Sequence, residues 1–137
     1  MILIEEKKDI FEFDFEKYVI THCISYDCKM GAGIVVPVKK YFKLYGLHKY
    51  VTCYPTCIYY NNVLNLITKE KYWGKPTYET LCDSLKIMKD IIIKEKIKNI
   101  VMPRIGCGLD KLEWDIVKKL LRIIFNDLDI EIIVCRL

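Results

Sequence analysis

Two glycine turns, a lysine and an aspartate carry the chemistry legible in this chain. The first turn is Met30-Gly31-Ala32-Gly33, followed by Ile34. The second is Arg104-Ile105-Gly106-Cys107-Gly108-Leu109-Asp110. Each lies between a strand-like run and a helix-like run. Glycine lets a backbone adopt positive φ and approach a ligand closely. A helix that follows turns its free N–H groups on the same spot, which suits a phosphate. One such turn fits one phosphate; two fit a diphosphate, as in a nucleotide-sugar or dinucleotide fragment. The first turn has neither GxxxxGK[ST] nor a full GxGxxG, which disfavours an ATPase or an ordinary dehydrogenase.

Asp110 has two competing uses. Asp110-x-x-Glu113 before an apolar run matches a capping box, and a capping carboxylate is a poor base. Facing a ligand instead, it would act in catalysis. Lys69 closes the strand-like run Ile67-Thr68-Lys69. A lysine nucleophile needs desolvation or a neighbouring cation to lower its pKa, and a lysine read alone is a solvated charge. His22 precedes the first turn and reads as a ligand contact or a satisfied core histidine. Ser25 and Asp27 fall in the loop itself. Tyr72, Trp73 and Trp114 offer rings for a base or ribose, although Trp114 on a helix face reads better as core.

These groups need a scaffold. Residues 2–4 and 18–23 read as strands. A helix over 34–45 tolerates Pro37 in its first turn. The runs 58–60 and 63–68 flank Asn61-Asn62, a hairpin signal. Over 77–96, Tyr78, Leu81, Cys82, Leu85, Met88 and Ile92 form one helical stripe entered through Pro76. Residues 99–102 form a short strand stopped by Pro103. A second amphipathic helix turns Val117, Leu120, Leu121, Ile124 and Leu128 inward, and 130–134 closes the chain as a buried strand. Alternating strands and helices imply an α/β fold with a mixed, mostly parallel sheet covered on both faces. Ligands bind such sheets beyond the carboxyl ends of the strands. Both glycine turns and Lys69 fall at such ends.

Composition sets the outer limits. The 137 residues are 53% hydrophobic, which suits one domain with its own core. No apolar run nears the roughly 20 residues of a membrane helix, and the start is charged, so a soluble intracellular protein is expected. The net charge of +4, from 22 basic and 18 acidic residues, permits an anionic ligand without demanding nucleic acid. Seven cysteines, an odd number, read as reduced thiols. Cys53-x-x-x-Cys57 lacks a partner pair, so no metal is expected.

Together the motifs resemble a macrodomain over nearly the whole chain. The segments are His22 through Ile34, Leu66 to Lys69, Lys75-Pro76-Thr77-Tyr78-Glu79-x-Leu81, and Met102 through Trp114. They occur in family order, and the nearest branch is the terminal ADP-ribose protein glycohydrolases. The resemblance implies a single macrodomain over 1–137, a three-layer α/β/α fold, and a crevice for ADP-ribose. It implies that Ser25, Gly31, Gly33, Ile34 and Arg104 through Leu109 line the diphosphate and distal ribose. His22 belongs to the same signature, Ile10 matches a position beside adenine, and Leu137 matches a further ligand contact. It implies that Lys69 attacks the anomeric carbon of the distal ribose and that Asp110 helps release the sugar. No cofactor is implied. The expected partners are ADP-ribose and ADP-ribosylated protein, with acetylated or phosphorylated ADP-ribose and ADP-ribosylated nucleic acid as further substrates. A monomer in the cytoplasm or nucleus, with no membrane association, completes the expectation. A non-catalytic ADP-ribose reader is the alternative.

The resemblance has departures. The segment between residues 42 and 57 is shorter than the family pattern, and a Gly-Gly after the first helix is absent.

Overall fold

A computed structural model describes all residues from 1 to 137. Six strands form one sheet: β1 (Ile2–Lys7), β2 (Val19–Ser25), β3 (Thr56–Tyr60), β4 (Val63–Lys69), β5 (Asn99–Pro103) and β6 (Glu131–Arg136). Their order is β1-β6-β5-β2-β4-β3. All neighbours are parallel except β3 and β4, which are antiparallel. That exception is the hairpin predicted from Asn61-Asn62. Both asparagines take positive φ, at 49° and 64°, which a two-residue turn of this hand requires.

Three helices, α1 (Val35–Phe42), α2 (Tyr78–Glu95) and α3 (Trp114–Phe125), cover the sheet, with 3-10 turns at Ile10–Glu12 and Leu44–Tyr50. Strand side chains alternate between two cores. Leu64 and Leu66 pack with Leu81, Leu85 and Met88 of α2 and with Val117, Leu121 and Phe125 of α3. Val63 and Ile67 pack oppositely, with Val38 of α1 and with Leu44 and Leu47. The same alternation splits Ile100 and Met102 from Val101, and Ile132 and Val134 from Ile133. This is the period of two that a strand buried on both faces imposes. The three-layer α/β/α expectation is met.

Element bounds differ from the sequence reading where local geometry overrides periodicity. The helix expected over 34–45 ends at Phe42, because Lys43 adopts left-handed φ of 56° and the chain continues as a 3-10 turn. Helix α2 starts after Pro76, with Thr77 and Thr80 exchanging side-chain and backbone bonds as a capping box. Phe125 of α3 is fully buried, while Leu120 on the same helix and Leu128 beyond its end, both expected inside, are only half-buried. No helix is long and apolar enough to cross a membrane.

Candidate functional site

The order β5-β2-β4 sets three strand exits side by side. Strand β2 runs into the first glycine loop, β4 ends at Lys69, and β5 runs into the second glycine loop. Ser25 of β2 is paired with Lys69 of β4, one step after a register shift at Ile24. The loop leaving β4 is tied to the first loop by backbone bonds: Tyr26 N–H donates to Lys69 O (2.8 Å) and Asp27 N–H to Glu70 O (3.2 Å).

Lys69 and Asp110 meet across this edge. Nζ donates to Oδ1 at 2.6 Å, and the two side chains are 14% and 13% exposed. The aspartate therefore does not cap the helix after it. Helix α3 begins at Trp114 with Glu113 at its N-cap position. That corrects the expectation that the second glycine turn feeds a helix directly. Only the first turn does so: Gly33, at φ 77°, is followed by Ile34 as N-cap and by the free N–H groups of α1.

The two glycine loops face each other. A Cβ on Gly33 would lie 3.4 Å from Leu109 Cδ1. Gly106 sits at φ 73°, where a Cβ would come within 2.9 Å of Leu112 Cδ1, so this glycine shapes the turn. Gly31 and Gly108 have open space where a Cβ would be, the condition for close approach by a ligand. Lys75 Nζ donates to Leu109 O (2.5 Å) and holds the second loop against the β4 exit.

Asp27 does comparable work for the first loop. Its carboxylate accepts from Ser25 Oγ, from Lys29 N–H (3.2 Å) and from Tyr72 N–H (3.0 Å). Burial raises its pKa, but these hydrogen bonds outweigh burial and hold it below the usual carboxylate range. Ser25-x-Asp27 spacing was a visible signal for this loop bond. The Lys75 tie has no counterpart in local pattern.

Other predicted residues fall in different settings. Ile34, Leu109 and Leu137 are exposed. Arg104 lies 3.7 Å from Glu5 and 5.7 Å from the centre of the Trp114 ring. Glu5 also accepts from Trp114 Nε1 (2.8 Å) and Lys118 Nζ (2.7 Å), so Trp114 is occupied in packing. Ile10 and Ile105 are buried core side chains, leaving only their backbones to face a ligand. His22 is fully buried against Asn65 Oδ1 (2.6 Å), and burial pushes its pKa down to about 4. The expected His22 ligand contact is thus corrected: the side chain belongs to the core.

Two thiols border the pair without competing as nucleophiles. Burial raises Cys23 to about 12, with Asp110's charge adding to it, and burial raises Cys107 to about 11. No group of three or more His, Cys, Asp or Glu side chains is placed to hold a metal.

This arrangement can hold an anionic ligand between two backbone loops and present an amine, with a carboxylate to take its proton, at the ligand's far end.

Known proteins share the fold. No family model matches the chain. The human ADP-ribose glycohydrolase OARD1 is 42% identical over 125 residues, covering 84% of this chain and 79% of its own length. The Bos taurus protein of the same name matches equally. Among solved structures, the macrodomain of Mycobacterium tuberculosis DarG superposes with a TM-score of 0.87 at 15% identity, covering 99% of this chain and 98% of its own. Thermosipho africanus DarTG, solved with ADP-ribose, gives 0.79 at 22% identity over 99% of this chain and 42% of its own. Identity and shared architecture lead to one assignment: the chain belongs to the macrodomain family, in the branch of the ADP-ribose glycohydrolase OARD1.

Proposed function

We propose that this protein is an ADP-ribose hydrolase that removes mono-ADP-ribose from acidic side chains, with Lys69 as nucleophile and Asp110 as its proton acceptor. The 2.6 Å contact between Lys69 Nζ and Asp110 Oδ1 carries this reading. The 42% identity to proteins named ADP-ribose glycohydrolase supports it. The two loops supply the binding half, with Gly31, Gly33 and the start of α1 on one side and Arg104 to Gly108 on the other.

A lysine ammonium has no free electron pair, so it must lose a proton before it attacks. Asp110 takes that proton. Nζ then forms a bond to the anomeric carbon of the distal ribose. The bond from that carbon to the carboxylate oxygen breaks, and the acidic side chain leaves with the electron pair. The sugar on Nζ opens to a Schiff base, a proton passing from the nitrogen to the ring oxygen, and Asp110 releases the proton it took to solvent and is ionised again. Water adds at the same carbon, one of its protons passing through Asp110. The carbon–nitrogen bond then breaks, Nζ regains its proton, and ADP-ribose departs. ADP-ribose 1″-phosphate offers a leaving group at the same carbon and fits the same scheme.

The test uses glutamate-linked ADP-ribosylated protein, with ADP-ribose affinity measured in parallel by calorimetry. Lys69→Ala and Asp110→Ala are each expected to slow turnover by on the order of 10²–10⁴ while ADP-ribose still binds. Undiminished activity in both variants overturns the mechanism. Tight ADP-ribose binding by the wild-type protein, with no turnover of any linkage, makes it a reader instead.

A further inference from the structure

Helix α2 reaches the backbone on both sides of the reactive pair. It lies along β3 and β4 and against α3. Its buried stripe is apolar, with Leu81, Leu85, Met88 and Ile92, except that Ser84 is also fully buried. Alanine there would favour the helix more and bury no hydroxyl. A buried hydroxyl is unfavourable unless it is bonded. Ser84 Oγ stands 3.0 Å from Thr80 O of its own helix and 2.9 Å from Ile67 O of β4, so its one proton is shared between two acceptors. The Thr80 bond alone would satisfy the hydroxyl. The Ile67 bond adds a tie to a second element.

Ile67 is where the sheet changes register. Ile24 of β2 pairs with Ile67, but the next residue, Ser25, pairs with Lys69, so Thr68 is an extra residue on β4. An extra residue of this kind bends a strand and re-aims the side chain that follows. In unbroken register Ser25 would face Thr68, and Lys69 would lie one place, about 3.3 Å, further along. Strand β3 gives no support there, because its pairing with β4 ends at Ile67. Ser84 holds the last regular residue before the shift.

The start of the same helix holds the other half. Tyr78 opens α2, and its half-buried ring packs against the core shared by α2 and α3. Its hydroxyl oxygen accepts from Glu113 N–H at 2.9 Å. Glu113 is the N-cap of α3, three residues after Asp110, and its own side chain caps nothing. The tyrosine fixes where the second loop ends. A helix hydrogen-bonded along its length is one stiff body, so the two ties share a frame.

We infer that Ser84 and Tyr78 are positioning residues for the reaction: through α2 they fix the backbone just before Lys69 and just after Asp110, and so set the gap between amine and carboxylate. This deepens the proposed function and rests on it. Ser84, wholly buried, acts through the backbone alone.

The experiment compares Ser84→Ala, Ser84→Cys and Tyr78→Phe with the wild-type protein on glutamate-linked ADP-ribosylated protein. For each, kcat, KM, calorimetric ADP-ribose affinity and the thermal midpoint are measured. Each variant is expected to lower kcat by about tenfold while ADP-ribose affinity stays within about twofold. Ser84→Cys keeps the side chain's size and weakens the donor, so it should resemble Ser84→Ala. Tyr78→Phe acts through Asp110, so it should bring no further loss in an Asp110→Ala background. Wild-type kcat in Tyr78→Phe or in both Ser84 variants overturns the inference. So does a parallel loss of ADP-ribose affinity, or a further loss from Tyr78→Phe once Asp110 is gone. Ser84 variants that unfold assign the serine to the fold alone and overturn its half. Undiminished turnover in Lys69→Ala and Asp110→Ala is a separate failure, that of the hydrolase reading.

Discussion

Lys69 Nζ and Asp110 Oδ1 stand 2.6 Å apart although 41 residues separate them in the chain, and each side chain is largely withdrawn from solvent. Neither residue lies on a flexible arm. Lys69 ends a central strand, and Asp110 sits in a loop fastened to the β4 exit by Lys75. Partial burial strengthens the attraction between the two charges relative to water and keeps the proton within a single transfer.

The Lys75 tie has a measurable consequence. Its ammonium is the one side-chain donor to Leu109 O, and removing it frees the loop that carries Asp110. Lys75→Ala is expected to lose about 1 kcal/mol of loop positioning, read as a severalfold weaker ADP-ribose affinity and slower turnover. Its thermal stability should stay close to wild type. Unchanged affinity and turnover in this variant would show that the loop holds itself.

The glycines of the second loop separate by role. Gly106→Ala meets both positive φ and a 2.9 Å contact with Leu112, so it is expected to destabilise the fold by about 1–3 kcal/mol in thermal unfolding. Gly108→Ala meets neither obstacle and should leave the unfolding midpoint nearly unchanged while weakening ADP-ribose binding. The reverse pattern would contradict the division between turn glycine and ligand-facing glycine.

Acid should act through His22. Its native pKa is lowered from 6.5 to about 4 by burial, with the Asn65 bond opposing. The unfolded chain then binds more protons between those values, so stability is full above pH 6.5 and falls as pH drops toward 4. The loss over that window is about 3 kcal/mol. In urea unfolding, His22→Asn should flatten this slope although it lowers stability at pH 7. An equal slope in the variant would place the acid sensitivity elsewhere.

Much of the fold was legible because its signals are local and repeat. The Leu81–Leu85–Met88–Ile92 stripe marks α2, and Asn61-Asn62 marks the hairpin together with the runs 58–60 and 63–68 on either side of it. The ends of elements were less legible. Lys43 stops α1 through a backbone conformation that side-chain periodicity does not encode.

The site was legible in its glycines and hidden in its pairs. Asp110-x-x-Glu113 has the spacing of a capping box, yet a distant lysine takes the carboxylate and α3 begins four residues later. His22 has the chemistry of a ligand contact, but Asn65 and full burial make it core.

The central claim is that Lys69 bonds to the sugar during turnover. The most direct measurement is to mix protein with glutamate-linked ADP-ribosylated substrate, reduce with borohydride in mid-reaction, and locate the adduct by peptide mass spectrometry. Reduction makes a Schiff base permanent, so the account predicts ADP-ribose fixed on the Lys69 peptide and none in Lys69→Ala. A protein that turns over substrate yet yields no adduct at Lys69 would contradict it.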